Sequence, residues 1–229
     1  MPDSIVTVMT DKQACDRCGS CCMQGGPALH RQDLDLVRSG VLRCEHLVTV
    51  RKGELAYQPL AESATQVIRE FLKLQGRSGS WTCLFYDDVA KACTIYEQRP
   101  VACGLLDCTA PEALLAITGK ELLTRFDCIG DDDPLLALVR RYEDGCPCPD
   151  MAEVEIGLQS AAGRLSLLEE LTRQVNIDLD FRAQAAGVRN LSVAEEVFYF
   201  GRPLFQLLMP LGIQVRESSV GLEIFMHQG

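Results

Sequence analysis

The run Cys15-Asp16-Arg17-Cys18-Gly19-Ser20-Cys21-Cys22 spaces four thiols as C-x2-C-x2-C-C. Two cysteines separated by two residues can turn both sulfurs toward one metal, and a third at the same spacing extends the arc. Neighbouring side chains diverge from the backbone, so Cys21 and Cys22 do not serve one metal in the same way. A second site or a polynuclear one fits that pair. Gly19 allows positive φ and exposes amide N–H groups that can bond thiolates. Gly25, Gly26 and Pro27 follow, so the segment reads as a loop bent around something. The expected fold class is α+β: an irregular, cysteine-rich, metal-organised part with a mainly helical C-terminal part and short β elements.

Outward from that run, Cys83, Cys93 and Cys103 bring the thiols to seven, and Cys128 in FDCIGDDDP makes eight. Eight thiolates fill two four-coordinate sites, or anchor one iron–sulfur cluster and one zinc. All twelve cysteines lie between Cys15 and Cys148. Cys108, Cys146 and Cys148 stay open between ligand and other roles, because a rigid turn explains the CPCP run as well as ligation does. Cys44 in RCEH reads as a core or surface thiol. Arg99 either neutralises a thiolate-rich site or anchors a turn.

The chain has 229 residues, of which 47% are hydrophobic and 24% charged, which fits one folded domain or one with an appended lobe. A net charge of −10 argues against broad binding to nucleic acid or anionic membrane, since both need a basic face. The first residues show neither a basic n-region nor an apolar h-region, and no run of 18 apolar residues exists. A reducing cytoplasm is therefore expected, where clustered cysteines are metal ligands or redox groups rather than disulfides. Phosphate-binding, nucleophile-elbow and H-E-x-x-H motifs are missing, and the three histidines do not support a His-rich site.

The cysteine-bearing part is expected over 1–149 and a cysteine-free, mainly helical tail over 150–229. A short helix after residue 29 ends at Gly40. HLVTV and ELAYQPL read as strands around Lys52-Gly53, a pair that could form a hairpin. Residues 63–75 place Val67, Ile68, Phe71, Leu72 and Leu74 along a helix. Short strands are expected in WTCLFYD and CTIY. Capping boxes are expected at Thr118/Glu121 and Ser192/Glu195. A helix follows Asp131–Asp133, whose acidic run suits a solvated helix start. One long helix is expected over 150–175, and two terminal strands flank Ser218-Ser219. Phe198, Tyr199, Phe200 and Phe205 read as core aromatics.

The cysteine pattern resembles the YkgJ family of cysteine-cluster proteins, described as zinc- or iron-chelating. Cys15 to Cys22 match its first element and Cys83-Leu84-Phe85 its C-x-[FL] step. The run from Cys93 through Thr94, Ile95, Tyr96, Arg99 and Pro100 to Cys103 matches C-x-I-Y-x-x-R-P-x-x-C. Cys128-Ile129-Gly130 is similar to a relaxed C-P-G, with Ile for Pro, and Gly104 stands where an arginine is common. The resemblance covers about residues 15–130. It implies metal binding by Cys15, Cys18, Cys21, Cys22, Cys83, Cys93, Cys103 and Cys128. The leading expectation is an iron–sulfur protein with an electron-transfer or oxidoreductase role. A zinc-binding structural or accessory module is the alternative. A methyltransferase-like enzyme is a second alternative, since a relative methylates flagellin lysines.

Overall fold

The computed structural model describes residues 15, 17–58, 61–77, 79–160, 163–219 and 221–226. Gly19, at φ 79°, opens a single helical turn, α1 (Ser20–Met23). A 3-10 turn over Arg31–Asp33 runs into α2 (Leu34–Arg38), and Gly40 at φ 79° follows. Four strands come next: β1 (Leu47–Val50), β2 (Leu55–Gln58), β3 (Ser63–Gln66) and β4 (Phe71–Leu74). β5 (Tyr86–Asp87) and β6 (Ala92–Cys93) form a minimal hairpin, followed by α3 (Val101–Leu105) and α4 (Glu112–Ile117). The remainder is α5 (Leu136–Gly145), α6 (Met151–Gln159), α7 (Arg164–Val188), α8 (Val193–Phe200), α9 (Leu204–Leu208) and a hairpin of β7 (Gln214–Ser218) and β8 (Gly221–Phe225). The class is α+β, with separate two-stranded antiparallel sheets rather than one large sheet.

Several expected elements differ. β1 and β2 do not pair with each other. β1 pairs with β4, Leu47 opposite Leu74, and β2 with β3. The helix expected over 63–75 is two strands. In β4 the fully buried positions, Leu72 and Leu74, alternate with partly buried ones, and period two is the strand signature. Glu70 joins the ion pair of fully buried Arg125 at 3.1 Å, which fixes the entry into β4. The Thr118/Glu121 capping box is absent: Thr118 follows the end of α4, and Glu121 has φ 46°. A reciprocal box does occur six residues later, between Thr124 and Asp127. The helix expected over 150–175 is divided into α6 and α7. The Ser192/Glu195 box and the terminal hairpin are present as expected.

Two apolar cores result. The first gathers Leu29, Leu47, Leu72 and Leu74 around Tyr142 and Phe198–Phe200. The second packs Val154 and Leu158 of α6 on Leu171 and Val175 of α7, with Leu204, Leu208 and Ile224. A buried polar network joins them. Arg51 donates to Tyr142 Oη at 2.7 Å and to the Cys146 carbonyl. Tyr142 donates to Asp178 Oδ1 at 2.6 Å. Asp178 also accepts both Nε and Nη2 of Arg182 at 3.1 Å and the Leu204 N–H at 3.1 Å. Glu54, fully buried, accepts the Arg51 N–H at 2.9 Å and pairs with Arg202 at 2.7 Å. Buried charges need such pairing, because desolvating them alone is costly. Among the described residues no helix is long and apolar enough to cross a membrane.

Candidate metal centre

Three separate segments bring thiols together. Cys21 and Cys22 lie on α1 with their sulfurs 4.0 Å apart. The Cys83 N–H donates to the Cys22 carbonyl at 2.7 Å, which lashes the second segment to the first. Cys93 sits opposite Tyr86 in the β5–β6 pair. Cys103 rides on α3, whose first turn is held by the buried Asp33: its Oδ1 accepts the Val101 N–H at 2.8 Å, while Oδ2 accepts the His30 N–H at 2.9 Å.

The electrostatics group the same five side chains. Burial, and then the negative charge of Cys21, Cys83 and Cys93, pushes the Cys22 thiol up to about 12. Burial, then Cys83, Cys21, Cys93 and Cys22, raises Cys103. Burial also raises Cys83, and Cys93 and Cys21 add to it, against a backbone hydrogen bond from Phe85. Like charges crowded into a desolvated space hold each other protonated. A cation in their midst reverses that sign, because ligand thiols lose their protons to the metal.

The other expected ligands are placed elsewhere. Cys15 and Cys18 are exposed on the approach loop. The Cys15 N–H donates to Tyr96 Oη at 3.3 Å, and Cys18 Sγ lies 3.4 Å from Ser20 Oγ. Cys128 is half-buried against the first core, where burial, Asp127 and Cys44 push its thiol up to about 12, and none of the five is among the groups acting on it. Cys108 is exposed. Cys146 and Cys148 stand beside Arg51, and burial pushes them up to about 11 and about 12. Arg99 donates to the Tyr96 carbonyl at 2.7 Å and stacks 4.0 Å from that ring's centroid, which is the turn-anchoring role.

Among the described residues, no three Cys, His, Asp or Glu side chains stand in metal-binding geometry. The five thiols are neighbours rather than a finished cage. As a donor set they fit a thiophilic metal: soft sulfurs from three segments, with no histidine or carboxylate among the groups that perturb Cys22, Cys83 or Cys103 most.

Residues 14–120 match the family model CxxCxxCC, described as "Putative zinc- or iron-chelating domain". This segment is similar to that family, over a little under half of the chain. Metal binding through cysteines, with zinc or iron as the metal, therefore describes residues 14–120. All five grouped thiols fall inside the match, as do Cys15 and Cys18, whereas Cys128 falls outside it. No curated protein and no solved structure matches the chain.

Two positioning features escaped the sequence reading. Asp33 sits in HRQDLDL, where it looks like one more polar residue on a helix face, and only the fold shows it clamping α3. Gly19 does more than relax the loop. A Cβ there would stand 2.2 Å from Tyr86 Oη, on a backbone at φ 79°. Gly19→Ala is expected to lose about 1–2 kcal/mol from the left-handed backbone alone, with further loss from displacing Tyr86. Denaturant unfolding and metal content should both fall in that variant.

Proposed function

We propose that the grouped thiols hold an iron–sulfur cluster and that the protein carries electrons. The observation that supports this reading is the number and kind of donors: five cysteines from three segments, in a group that includes the adjacent pair Cys21 and Cys22. One tetrahedral zinc takes four ligands. A polynuclear centre spreads its open positions over several metal atoms, so a diverging adjacent pair can both serve it. Cys21, Cys22, Cys83, Cys93 and Cys103 would hold the cluster, and the exposed Cys15 and Cys18 would serve a second edge. The bound cluster supplies one-electron chemistry. The chain supplies burial on one side and, on the other, an exposed loop through which a partner protein can approach.

Anaerobic purification followed by a visible spectrum and analysis of iron, zinc and acid-labile sulfide tests this. Stoichiometric iron and sulfide, with absorption that bleaches on reduction, is expected. A colourless protein with stoichiometric zinc and no sulfide would replace the redox reading with the structural zinc module.

A further inference from the structure

Lys73 lies on β4, cross-strand from Val48, and also bridges to Ala28 in the segment that follows the cysteine loop. Its side chain is half-buried. Nζ reaches to 3.5 Å from where a Cβ on Gly25 would stand, so it points at the turn just after α1. Gly25 has φ 112°, and the absence of a side chain there leaves the ammonium its space.

Among the described residues Lys73 makes no ion pair and no side-chain hydrogen bond. Arg202, the cation that acts on it, is committed to Glu54 at 2.7 Å. Burial and Arg202 push the Lys73 amine down, and the group that pulls it up is Cys83. Among the described residues the charged groups acting on this half-buried ammonium are Arg202 and Cys83, with no carboxylate beside it. Four thiolates on one divalent ion carry a net charge of about −2, and that charge would arise beside Cys83.

We propose that Lys73 is the charge partner of the thiolate centre, a positioning residue that stabilises the metal-loaded site without touching the metal. This rests on the metal-binding reading of the five thiols. It assigns to β4 a role that its sequence, EFLKL, gives no sign of. The ammonium matches the negative charge that appears only on loading, so it favours the loaded state over the empty one.

The test uses the full chain with zinc as the probe, its affinity measured by competition with a chromophoric chelator. Lys73→Met keeps the length and apolar stem and removes the charge, and Lys73→Arg restores it. Outer-shell partners of metal sites are commonly worth ~10–100-fold in affinity. Lys73→Met should weaken zinc binding by that factor, and Lys73→Arg should stay within a few-fold of the parent. The metal-free Lys73→Met protein should unfold at the same temperature as the parent or higher, since a desolvated charge has been removed. Parent-like zinc affinity in Lys73→Met overturns the proposal. So does a metal-free Lys73→Met protein that unfolds at lower temperature, which would make Lys73 a packing strut. A parent protein that takes up no zinc and no iron removes the metal reading itself, whatever the variants do.

Discussion

Replacing Cys22, Cys83 or Cys103 with serine is expected to remove most of the bound metal, while Cys44→Ser and Cys128→Ser keep it. Serine's hydroxyl stays protonated at neutral pH, whereas a thiol surrenders its proton to the metal. Structural zinc binding is worth roughly 10–16 kcal/mol, so one ligand in four is about 3 kcal/mol, or on the order of 100-fold in affinity. Cys21 and Cys93 should behave alike, because both appear among the groups that perturb Cys22 and Cys103. Cys15 and Cys18 are exposed and should give smaller losses. Cys128 is the informative control. The resemblance of its CIG context implies a ligand, whereas its packing against the first core is that of a core thiol. Elemental analysis of each purified variant separates the two. Because Cys83 is buried, its alanine variant should accompany the serine one, so that lost metal is not mistaken for an unsatisfied hydroxyl.

Asp178→Ala is expected to lower stability by about 3–5 kcal/mol, the usual cost of stranding a buried charge. Asp178 is fully buried and accepts from Tyr142, Arg182 and the Leu204 N–H at 2.6–3.1 Å. Removing it leaves Arg182 and the Tyr142 hydroxyl without their carboxylate, and Arg51 is bonded to that same hydroxyl at 2.7 Å. Asp178→Asn keeps the shape and part of the bonding, so it should lose less. Urea unfolding of the metal-free proteins measures both. Glu217→Ala, on an exposed strand position, serves as the reference and should stay within about 0.5 kcal/mol. The effect should reach both apolar cores, since the network touches Tyr142 in one and Leu204 in the other.

The thiol spacing was the legible part of the site. C-x2-C-x2-C-C and the run from Cys93 to Cys103 mark ligand-bearing loops by chemistry, and chemistry survives without knowledge of tertiary contacts. Which thiols meet was not legible. Cys83 joins Cys22 through a backbone hydrogen bond, and Cys103 arrives because Asp33 caps α3; both are contacts between distant segments. The same limit explains the misread elements. Residues 63–75 carry apolar residues at helical spacing, yet Leu72 and Leu74 bury themselves by pairing with Leu47–Val50. Local periodicity cannot weigh a strand partner some twenty residues away. The long helix expected over 150–175 rests on an apolar face of Val154, Leu158, Leu165, Leu168 and Val175; Val154, Leu158 and Val175 do pack into one core, although they sit on two helices, whereas Leu165 is exposed. The Ser192/Glu195 box and the β7–β8 hairpin were legible because a capping box and a tight turn are set by residues within a few positions of each other.

The central claim is that cysteines from three segments converge on one metal centre. X-ray absorption at the metal edge of the anaerobically purified protein tests it without any substitution. The account predicts a first shell of sulfur alone at roughly 2.3 Å. A first shell dominated by nitrogen or oxygen would contradict it.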